Sequence, residues 1–213
     1  MVEHLSPPER EYVPLPRGYH NLSREEVVAS QRGRLLIAAA EIAAEKGYLD
    51  TTVGDILTRA KVSRLTFYEQ FANKETCIIA AYEMVAAEVA SRVQEALATD
   101  YDLVDRADHA IRAYLEALAE KPVLARFFLV EATSAGARLR QRRLATQQSV
   151  ANLIAAQFGA STDGQRTACE ALVGAVVALV SARMMTDGPE AVLALHQPIL
   201  KLATAIWKAF PQL

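Results

Sequence analysis

The chain has 213 residues, of which 52% are hydrophobic, with only 9 glycines and 8 prolines. That length and composition support a large packed core and argue against a disordered protein. The formal net charge of -2 gives no sign of a uniformly basic surface, so any nucleic-acid contact must come from a local patch.

The first residues and the cysteines indicate the compartment. Residues 1–20 contain acids and prolines and lack the apolar segment of a secretory signal. Cys77 and Cys169 lie far apart in apolar segments, which favours reduced thiols over a disulfide bond. The longest apolar run, 172–182, is shorter than the about twenty residues that cross a bilayer. We therefore expect a cytoplasmic protein with no membrane partner.

Helix caps and hydrophobic periodicity predict an all-α fold. Residues 1–22 carry four prolines without periodicity and are expected to form a flexible arm. Ser23 and Glu26 form a capping box for a first helix over 24–46, which Gly47 ends. No segment of useful length alternates as a strand does.

The rest of the chain divides into further predicted helices. Thr52, Ser63 and Asn73 are the expected N-caps of the second, third and fourth. Pro122 and Gly136 separate later helices, and the last helix is interrupted at Pro198. The predicted bounds are 53–60, 64–70, 73–98, 103–120, 123–133, 137–157, 164–186 and 189–210.

The second and third helices, joined by Lys61-Val62-Ser63, have the dimensions of a helix-turn-helix. Helical spacing puts Phe67 and Phe71 together on the inward face, where they anchor a helix too short to be stable alone. In such motifs the outward face of the second helix enters the major groove. Periodicity alone leaves two ordinary surface helices of an all-α protein as the alternative.

The outward side chains have the chemistry of DNA recognition. Arg64 can pair with guanine or phosphate, Leu65 can pack on a thymine methyl, and Thr66 can reach a base or a phosphate. Tyr68 and Lys74 offer donors to phosphates, and a helix N-terminus favours an anion. The predicted DNA contacts here are Thr51, Thr52, Lys61, Ser63, Arg64, Leu65, Thr66, Tyr68 and Lys74.

The turn carries a local positive charge. Arg59, Lys61 and Arg64 lie between Ile56 and Tyr68 without an acid, so this segment carries +3 in a chain of -2. Lys61 also occupies a position that favours glycine if its φ is positive, at a cost of about 1 kcal/mol.

Residues from about Leu15 to Glu83 resemble the tetracycline-repressor (TetR) family of bacterial transcription regulators. The resemblance is carried by AEIAAEKGYLDTTVGDI, by AKVSRLTFYEQF across the turn and third helix, and by NKETCIIAAYE after it. The family pattern has glycine at position 61 and a polar and then a small residue at 64 and 65, so this chain departs from it there. LPRGYHNLSREEV resembles the N-terminal extension of some members, in which Arg17 would enter a minor groove; a solvated tail is the alternative.

The resemblance implies a homodimeric regulator that binds double-stranded DNA. It implies an arm at 1–22, a DNA-binding domain over 23–72, and an effector-binding and dimerisation domain over 73–213. A two-fold dimer would hold its recognition helices about 34–36 Å apart, which matches an inverted-repeat operator. No cofactor is implied.

The predicted helix 164–186 is apolar around most of its circumference, which favours a partner subunit as its cover. A central core helix of a monomer is the alternative. Together with 189–210 it would form half of a four-helix interface. The expected interface residues are Leu172, Val176, Leu179, Val180, Leu193, Leu200 and Trp207.

Helices four to seven can enclose an effector cavity, although plain core packing is the alternative for each of its residues. The candidate ligand contacts are aromatic side chains and a few polar anchors: Tyr82, Tyr114, Phe127, Phe128, Arg126, Glu131 and Asn152. A basic run is interpreted as a solvated helix face, with a site for an acidic effector as the alternative: Arg138, Arg140, Arg142 and Arg143.

The leading hypothesis is a repressor that a small, largely apolar ligand releases from a palindromic operator. A DNA-binding regulator controlled by a protein partner and an all-α enzyme are the alternatives. The histidines at positions 4, 20, 109 and 196 have no metal-binding spacing, and no nucleophile motif is present, so we expect no enzymatic activity.

Overall fold

A computed structural model of the protein describes residues 23–98, 102–133 and 136–209. Within these ranges the chain forms α-helices and one short 3₁₀ helix, Glu131–Thr133, and no strand, which confirms the predicted all-α class. The helices are α1 (Arg24–Asp50), α2 (Val53–Ala60), α3 (Arg64–Gln70), α4 (Lys74–Leu97), α5 (Leu103–Glu120), α6 (Pro122–Leu129), α7 (Gly136–Gln157), α8 (Asp163–Thr186), α9 (Pro189–Leu193) and α10 (His196–Ala209).

Side-chain caps set the starts of the first four helices, as predicted. Ser23, Thr52 and Asn73 each take part in a capping box, and the Ser63 hydroxyl accepts from the Thr66 N–H at 3.1 Å. Gly47, at φ 85° and ψ 159°, breaks the helical path of α1 where the sequence predicted its end. Only glycine adopts that backbone conformation without large strain.

Two predicted boundaries are wrong. The predicted helix 123–133 ends at Leu129, and a 3₁₀ turn replaces its last residues. The C-terminal helix breaks between Leu193 and His196 rather than at Pro198, which lies in the first turn of α10. A proline there removes an N–H that has no partner within the helix, so it does not interrupt the helix. The arm predicted at 1–22 lies outside the described residues.

Helix α4 is shared by two hydrophobic cores. The first core packs α1, α2 and α3 against the first half of α4, with Phe127, Ala132 and Leu139 added from the second half of the chain. The second packs the far part of α4 against α5, α6, α8, α9 and α10. Phe128 contacts both cores.

Helix α8 is long and apolar. In the described part of the chain, it alone has the length and composition that a membrane-spanning helix needs, with a mean hydropathy of 1.7. The apolar run 172–182, predicted to be too short to cross a bilayer, therefore belongs to a helix that is long enough. A core or interface helix meets the same two criteria, and one such helix is weak evidence for a membrane span.

Candidate DNA-binding surface and ligand cavity

Two phenyl rings hold α3 against the protein. Phe67 and Phe71 are 0% and 4% exposed, and their ring centroids lie 5.6 Å apart. The Arg32 guanidinium on α1 lies 4.5 Å from the Phe71 centroid. Because α3 has only seven residues, this packing fixes its position more than its own hydrogen bonds do. The predicted inward face is confirmed.

The opposite side of α3 points away from the protein. Leu65 is 72% exposed and Tyr68 is 50% exposed, and Arg64 and Glu69 are exposed beside them. The Tyr68 ring packs edge-on against Phe67, with 5.3 Å between centroids. Packing on Phe67 therefore holds the Tyr68 ring in place. The exposed face of α3 combines a cation, a hydroxyl and an apolar side chain on one rigid helix.

The turn before α3 contains a left-handed residue. Lys61 has φ 53° and ψ 47°, and it is the only non-glycine residue with positive φ in the described ranges. Its N–H donates to the Leu57 carbonyl and closes the end of α2. The Arg34 guanidinium donates to the Ala60 carbonyl at 3.1 Å, which ties the turn to α1. Lys61 therefore has the positive φ for which the sequence analysis expected a backbone strain of about 1 kcal/mol.

The basic patch is smaller than the sequence suggests. The Arg59 guanidinium pairs with Glu45 at 2.8 Å and with Glu41 at 3.1 Å, both on α1. Hydrogen bonding to these two carboxylates raises the pKa of Arg59 above its ordinary value. Lys61 and Arg64 are exposed and form no ion pair within the described residues. Of the three cations in this segment, Lys61 and Arg64 therefore remain unpaired within the described residues.

The start of α2 is occupied by its own side chains. Thr51 is 1% exposed, and its hydroxyl donates to the Gly47 carbonyl at 2.7 Å, so it cannot reach a phosphate. The Thr52 hydroxyl accepts from the Asp55 N–H and donates to the Asp55 carboxylate at 2.6 Å. A hydrogen bond from Lys46 lowers the pKa of Asp55 well below its ordinary value. A carboxylate thus already lies where the sequence suggested a phosphate.

Lys74 faces the protein. Its ammonium donates to the carbonyls of Tyr48 at 2.9 Å, Leu49 at 3.3 Å and Thr51 at 2.8 Å, which matches its three hydrogens. It also lies 4.5 Å from the Tyr48 ring centroid. These carbonyls end α1, where a cation is favourable. Lys74 joins α4 to α1, and Arg17, the remaining predicted DNA contact, lies outside the described residues.

A cavity of about 190 Å³ is bounded by α4, α5, α6, α7, α8 and α10. Its walls are almost entirely aliphatic and aromatic, and three predicted ligand residues line it: Tyr82, Tyr114 and Phe128. The rings of Tyr82 and Phe128 are stacked with 5.0 Å between centroids. Burial raises the pKa of both tyrosines, and the nearby charge of Arg143 opposes that rise. Both phenols are therefore neutral near pH 7.

The other predicted ligand residues do not line the cavity. Phe127 follows the helical turn away from its neighbour Phe128 and is buried in the first core. Arg126 and Glu131 approach each other at 3.6 Å instead. Asn152 is exposed and accepts from the Gln148 amide at 3.2 Å. The directions of these side chains depend on the path of α6 and α7, which long-range packing determines.

Helix α7 supplies a polar part of the wall that the sequence analysis missed. Arg143, Thr146 and Gln147 line the cavity, although Arg143 was interpreted as part of a solvated basic run. Within that run Arg138 and Arg142 fit the interpretation, since both are exposed and pair with glutamates on α4. The spacing of three and four residues along α7 was the available signal.

The segment containing the helix-turn-helix matches a known family. The profile of the family described as "Bacterial regulatory proteins, tetR family" covers residues 35–81, from α1 into α4. Residues 35–81 therefore form a segment of the tetR-family type. The match includes both anchoring phenylalanines and the whole exposed face of α3.

One relative of this chain is named as a transcription regulator. The HTH-type transcriptional activator FasR of Mycolicibacterium smegmatis is 32% identical over 97 residues. Those residues are 46% of this chain and 42% of the relative, so the match spans less than half the length of either protein.

Solved structures share the fold over most of their length. The fatty acid degradation regulator FadR from Bacillus halodurans has a TM-score of 0.71 and 21% identity, over 81% of this chain and 93% of that chain. FadR from Bacillus subtilis, in complex with stearoyl-CoA, has a TM-score of 0.63 and 22% identity, over 80% and 96%. The fold shared with these structures therefore extends beyond the helix-turn-helix to the C-terminal helices.

The residues predicted for a dimer interface differ in their exposure within the subunit. Leu172 and Val176 line the cavity and Val180 is 0% exposed, so these three face their own subunit. Leu179 is 43% exposed and Leu193 is 44% exposed. On α10, Leu200 is half-buried, and the Trp207 ring packs against Phe158 at 5.1 Å between centroids. The open face of α8 is marked instead by Ala171, Gly174, Ala178, Leu179, Ala182 and Met185.

Replacing Lys61 separates strain from charge. Lys61→Gly is expected to raise the free energy of unfolding by about 1 kcal/mol, because glycine takes a positive φ without strain. Both Lys61→Gly and Lys61→Asn should weaken DNA binding by removing a cation beside α3, whereas Lys61→Arg should not. Denaturant unfolding and DNA titrations at several salt concentrations measure the two effects. Unchanged DNA affinity in both neutral variants would remove Lys61 from the DNA-binding surface.

Proposed function

We propose that this tetR-family protein is a homodimeric transcription regulator that reads an inverted-repeat operator through α3. The observation that carries the proposal is the rigid, exposed face of a helix anchored by two buried phenylalanines. Arg64 would contact guanine or phosphate, Leu65 a thymine methyl, and Tyr68 a phosphate. Lys61, Ser63 and Thr66 would contact the backbone at the start of the same helix.

The proposed dimer is formed by the open face of α8 together with α10. This face carries small residues and Leu179 and Met185, which are 43% and 59% exposed. A partner copy would cover apolar surface that the chain leaves open, and burial of such surface drives association. The two copies of α3 would then lie about one DNA turn, 34–36 Å, apart.

The proposed ligand is a long-chain acyl compound. The cavity is largely apolar, α7 borders it along much of its length, and few polar groups line it. The FadR structure with stearoyl-CoA gives an acyl ligand in a protein of the same fold. A regulator controlled only by a protein partner would have no need of this cavity, so the cavity favours a small-molecule effector.

The cavity and the DNA-binding helices share one packed contact. Tyr82 lines the cavity and belongs to the first core, which also contains Phe67 and Phe71. Its partner Phe128 contacts both cores. A ligand that displaces this stacked pair would shift α4 against α1 and change the spacing of the two DNA-binding domains. A coupling of about 1–3 kcal/mol would lower operator affinity roughly 5- to 150-fold.

Repression released by the ligand is the proposed mode of action. Activation is the second candidate, because FasR is named as a transcriptional activator. A bound dimer represses where its operator overlaps a promoter and can activate from upstream. Transcript levels at bound operators after deletion of the gene distinguish the two, since a rise indicates repression and a fall indicates activation.

The proposed domain division is an arm at 1–22, a DNA-binding domain over 23–72 and a ligand-binding and dimerisation domain over 73–213. The first core crosses the boundary at residue 72, because it includes both Phe67 and Tyr82. The two proposed domains therefore share packing as well as a helix. A cytoplasmic location is proposed with this function, since the operator is chromosomal DNA.

Arg64→Ala is expected to relax sequence preference, and Tyr68→Phe to weaken specific and non-specific DNA alike. A lost guanine contact costs about 1–3 kcal/mol at one base position, whereas a lost phosphate contact is uniform across sequences. Sites selected by the wild type from random-sequence duplexes provide the operator for gel-shift titrations. Arg140→Ala, an exposed arginine on α7, is the control. If both α3 variants bind as the wild type does, α3 does not read DNA.

Leu179→Arg is expected to disrupt the dimer. The charge would be buried against the partner at the open face of α8, where it has no counter-charge. Light scattering should give twice 23.3 kDa for the wild type and 23.3 kDa for the variant at micromolar concentration. Leu144→Arg is the matched control, since Leu144 is 64% exposed on α7. A wild-type protein that is monomeric at that concentration would disprove the proposed dimer.

Val150→Phe is expected to abolish the response to stearoyl-CoA. Val150 lines the cavity, and a phenyl ring there would fill space that the acyl chain needs. Operator binding is measured with and without stearoyl-CoA, which should lower wild-type affinity within the about 5- to 150-fold range above. Leu144→Phe, outside the cavity on the same helix, should respond as the wild type does. An equal response in Val150→Phe would show that the ligand acts elsewhere.

A further inference from the structure

The face of α7 that borders the cavity changes character along its length. It begins with Arg143, Thr146 and Gln147 and continues with apolar side chains only: Val150, Leu153, Ile154 and Phe158. From Arg143 to Gln157, the last helical residue before Phe158, the helix rises about 21 Å at 1.5 Å per residue. One leaflet of acyl chains in a bilayer is about 15 Å thick, half the hydrocarbon core. This face therefore has the length and the polarity gradient of an extended amphiphile.

Arg143 has no counter-charge. No described residue forms an ion pair with it, whereas its neighbours Arg138 and Arg142 pair with Glu75 at 3.6 Å and Glu83 at 2.5 Å. Arg143 is also half-buried, while those neighbours are exposed. A cation at the edge of an apolar cavity is costly unless an anion or strong acceptor meets it. The Arg143 guanidinium therefore remains available to an acceptor that a ligand would bring.

Two buried hydroxyl groups line the cavities beside Arg143. The Tyr114 hydroxyl and the Ser181 hydroxyl are buried and have no hydrogen-bond partner among residues 23–98, 102–133 and 136–209. Tyr114 lines the cavity already described, and Ser181 lines a second cavity of about 250 Å³. Buried hydroxyls are almost always paired, so unpaired ones beside a cavity indicate a missing acceptor or donor.

The two cavities meet at Arg143. Both are lined by Leu129, Arg143, Gln147 and Val177, and the second extends past Ser181 to Met185, which is 59% exposed. The first cavity is thus mostly apolar, and the second leads from Arg143 past Gly174 and Ala178 to the face of α8 that the proposed partner subunit would border. An amphiphile can place its chain in the first cavity and continue past Arg143 into the second.

We infer that Arg143, assisted by Gln147, Tyr114 and Ser181, binds the acyl oxygens at the head of the ligand. These oxygens belong either to the carboxylate of a free fatty acid or to the carbonyl of an acyl thioester. The second cavity holds whatever extends beyond the acyl group. This assignment rests on the proposed acyl ligand and adds the residue that recognises its head.

The chain contains its own reporter for the test. Trp207 is the single tryptophan, and its ring lies 5.1 Å from that of Phe158, which lines the apolar end of the cavity. Occupation of that end by an alkyl chain should change tryptophan emission whatever the head group is. Stearate, 1-octadecanol and stearoyl-CoA therefore report binding through one signal while differing only at the head.

The wild type should bind stearate or stearoyl-CoA more tightly than 1-octadecanol. Arg143→Gln should weaken binding of the acyl ligand about 10- to 100-fold, as expected for loss of a charge-assisted hydrogen bond, and leave 1-octadecanol within about twofold. Arg143→Lys should retain most of the preference because it keeps the charge. Arg140→Gln, exposed on α7 and lining neither cavity, should behave as the wild type does. Operator binding without ligand verifies that each variant is folded.

The outcomes separate the two proposals. If the wild type binds an acyl ligand and Arg143→Gln binds it equally well, the head-group assignment is wrong and the acyl-responsive function stands. If none of the three compounds changes Trp207 emission in the wild type, the acyl ligand itself is wrong. Tight binding of stearate assigns Arg143 to a carboxylate, and tight binding of stearoyl-CoA alone assigns it to a thioester.

Discussion

The stacked contact between Tyr82 and Phe128 joins the parts of the structure that DNA and ligand would use. Tyr82 comes from α4, which runs through both cores, and Phe128 comes from α6, which packs beside α1 and α4. Because close-packed interiors do not deform continuously, a ligand cannot move this pair without moving the helices that carry it. The position of α3 follows in turn, since Phe67 and Phe71 fix it to the same core.

The helices of the DNA-binding part are held together by contacts at chain ends rather than by a large core of their own. Lys74 donates hydrogen bonds to the carbonyls at the end of α1, and Arg34 donates to the carbonyl at the end of α2. Arg59 forms ion pairs that join α2 to two acids of α1. Each of these three cations binds either the carbonyls of a helix C-terminus or a carboxylate. The positive charge left for DNA is therefore concentrated at Lys61 and Arg64, beside the exposed face of α3.

Local signals allowed much of the fold to be predicted, because caps, glycines and periodicity act over a few residues. The starts of α2, α3 and α4, the break at Gly47 and the inward pair Phe67 and Phe71 all depend on such short-range chemistry. The arrangement of helices in space was not accessible in this way. Long-range contacts decide that Lys74 and Arg59 face inward and that Thr51 is buried. They also decide which of the adjacent residues Phe127 and Phe128 lines the cavity.

Helix α8 shows why its apolar sequence was difficult to interpret. A helix that is apolar all round must be covered on all sides, but the sequence does not say which cover belongs to which side. In the structure one side faces the cavity through Leu172 and Val176, while Leu179 on another side is open. The proposed acyl chain and the proposed partner subunit would therefore contact adjacent sides of one helix, and the second cavity, lined by Gly174, Ala178 and Met185, would border the partner. A displacement of α8 by the ligand would reach the dimer interface directly, which gives the spacing of the two recognition helices a second route of control beside Tyr82 and Phe128.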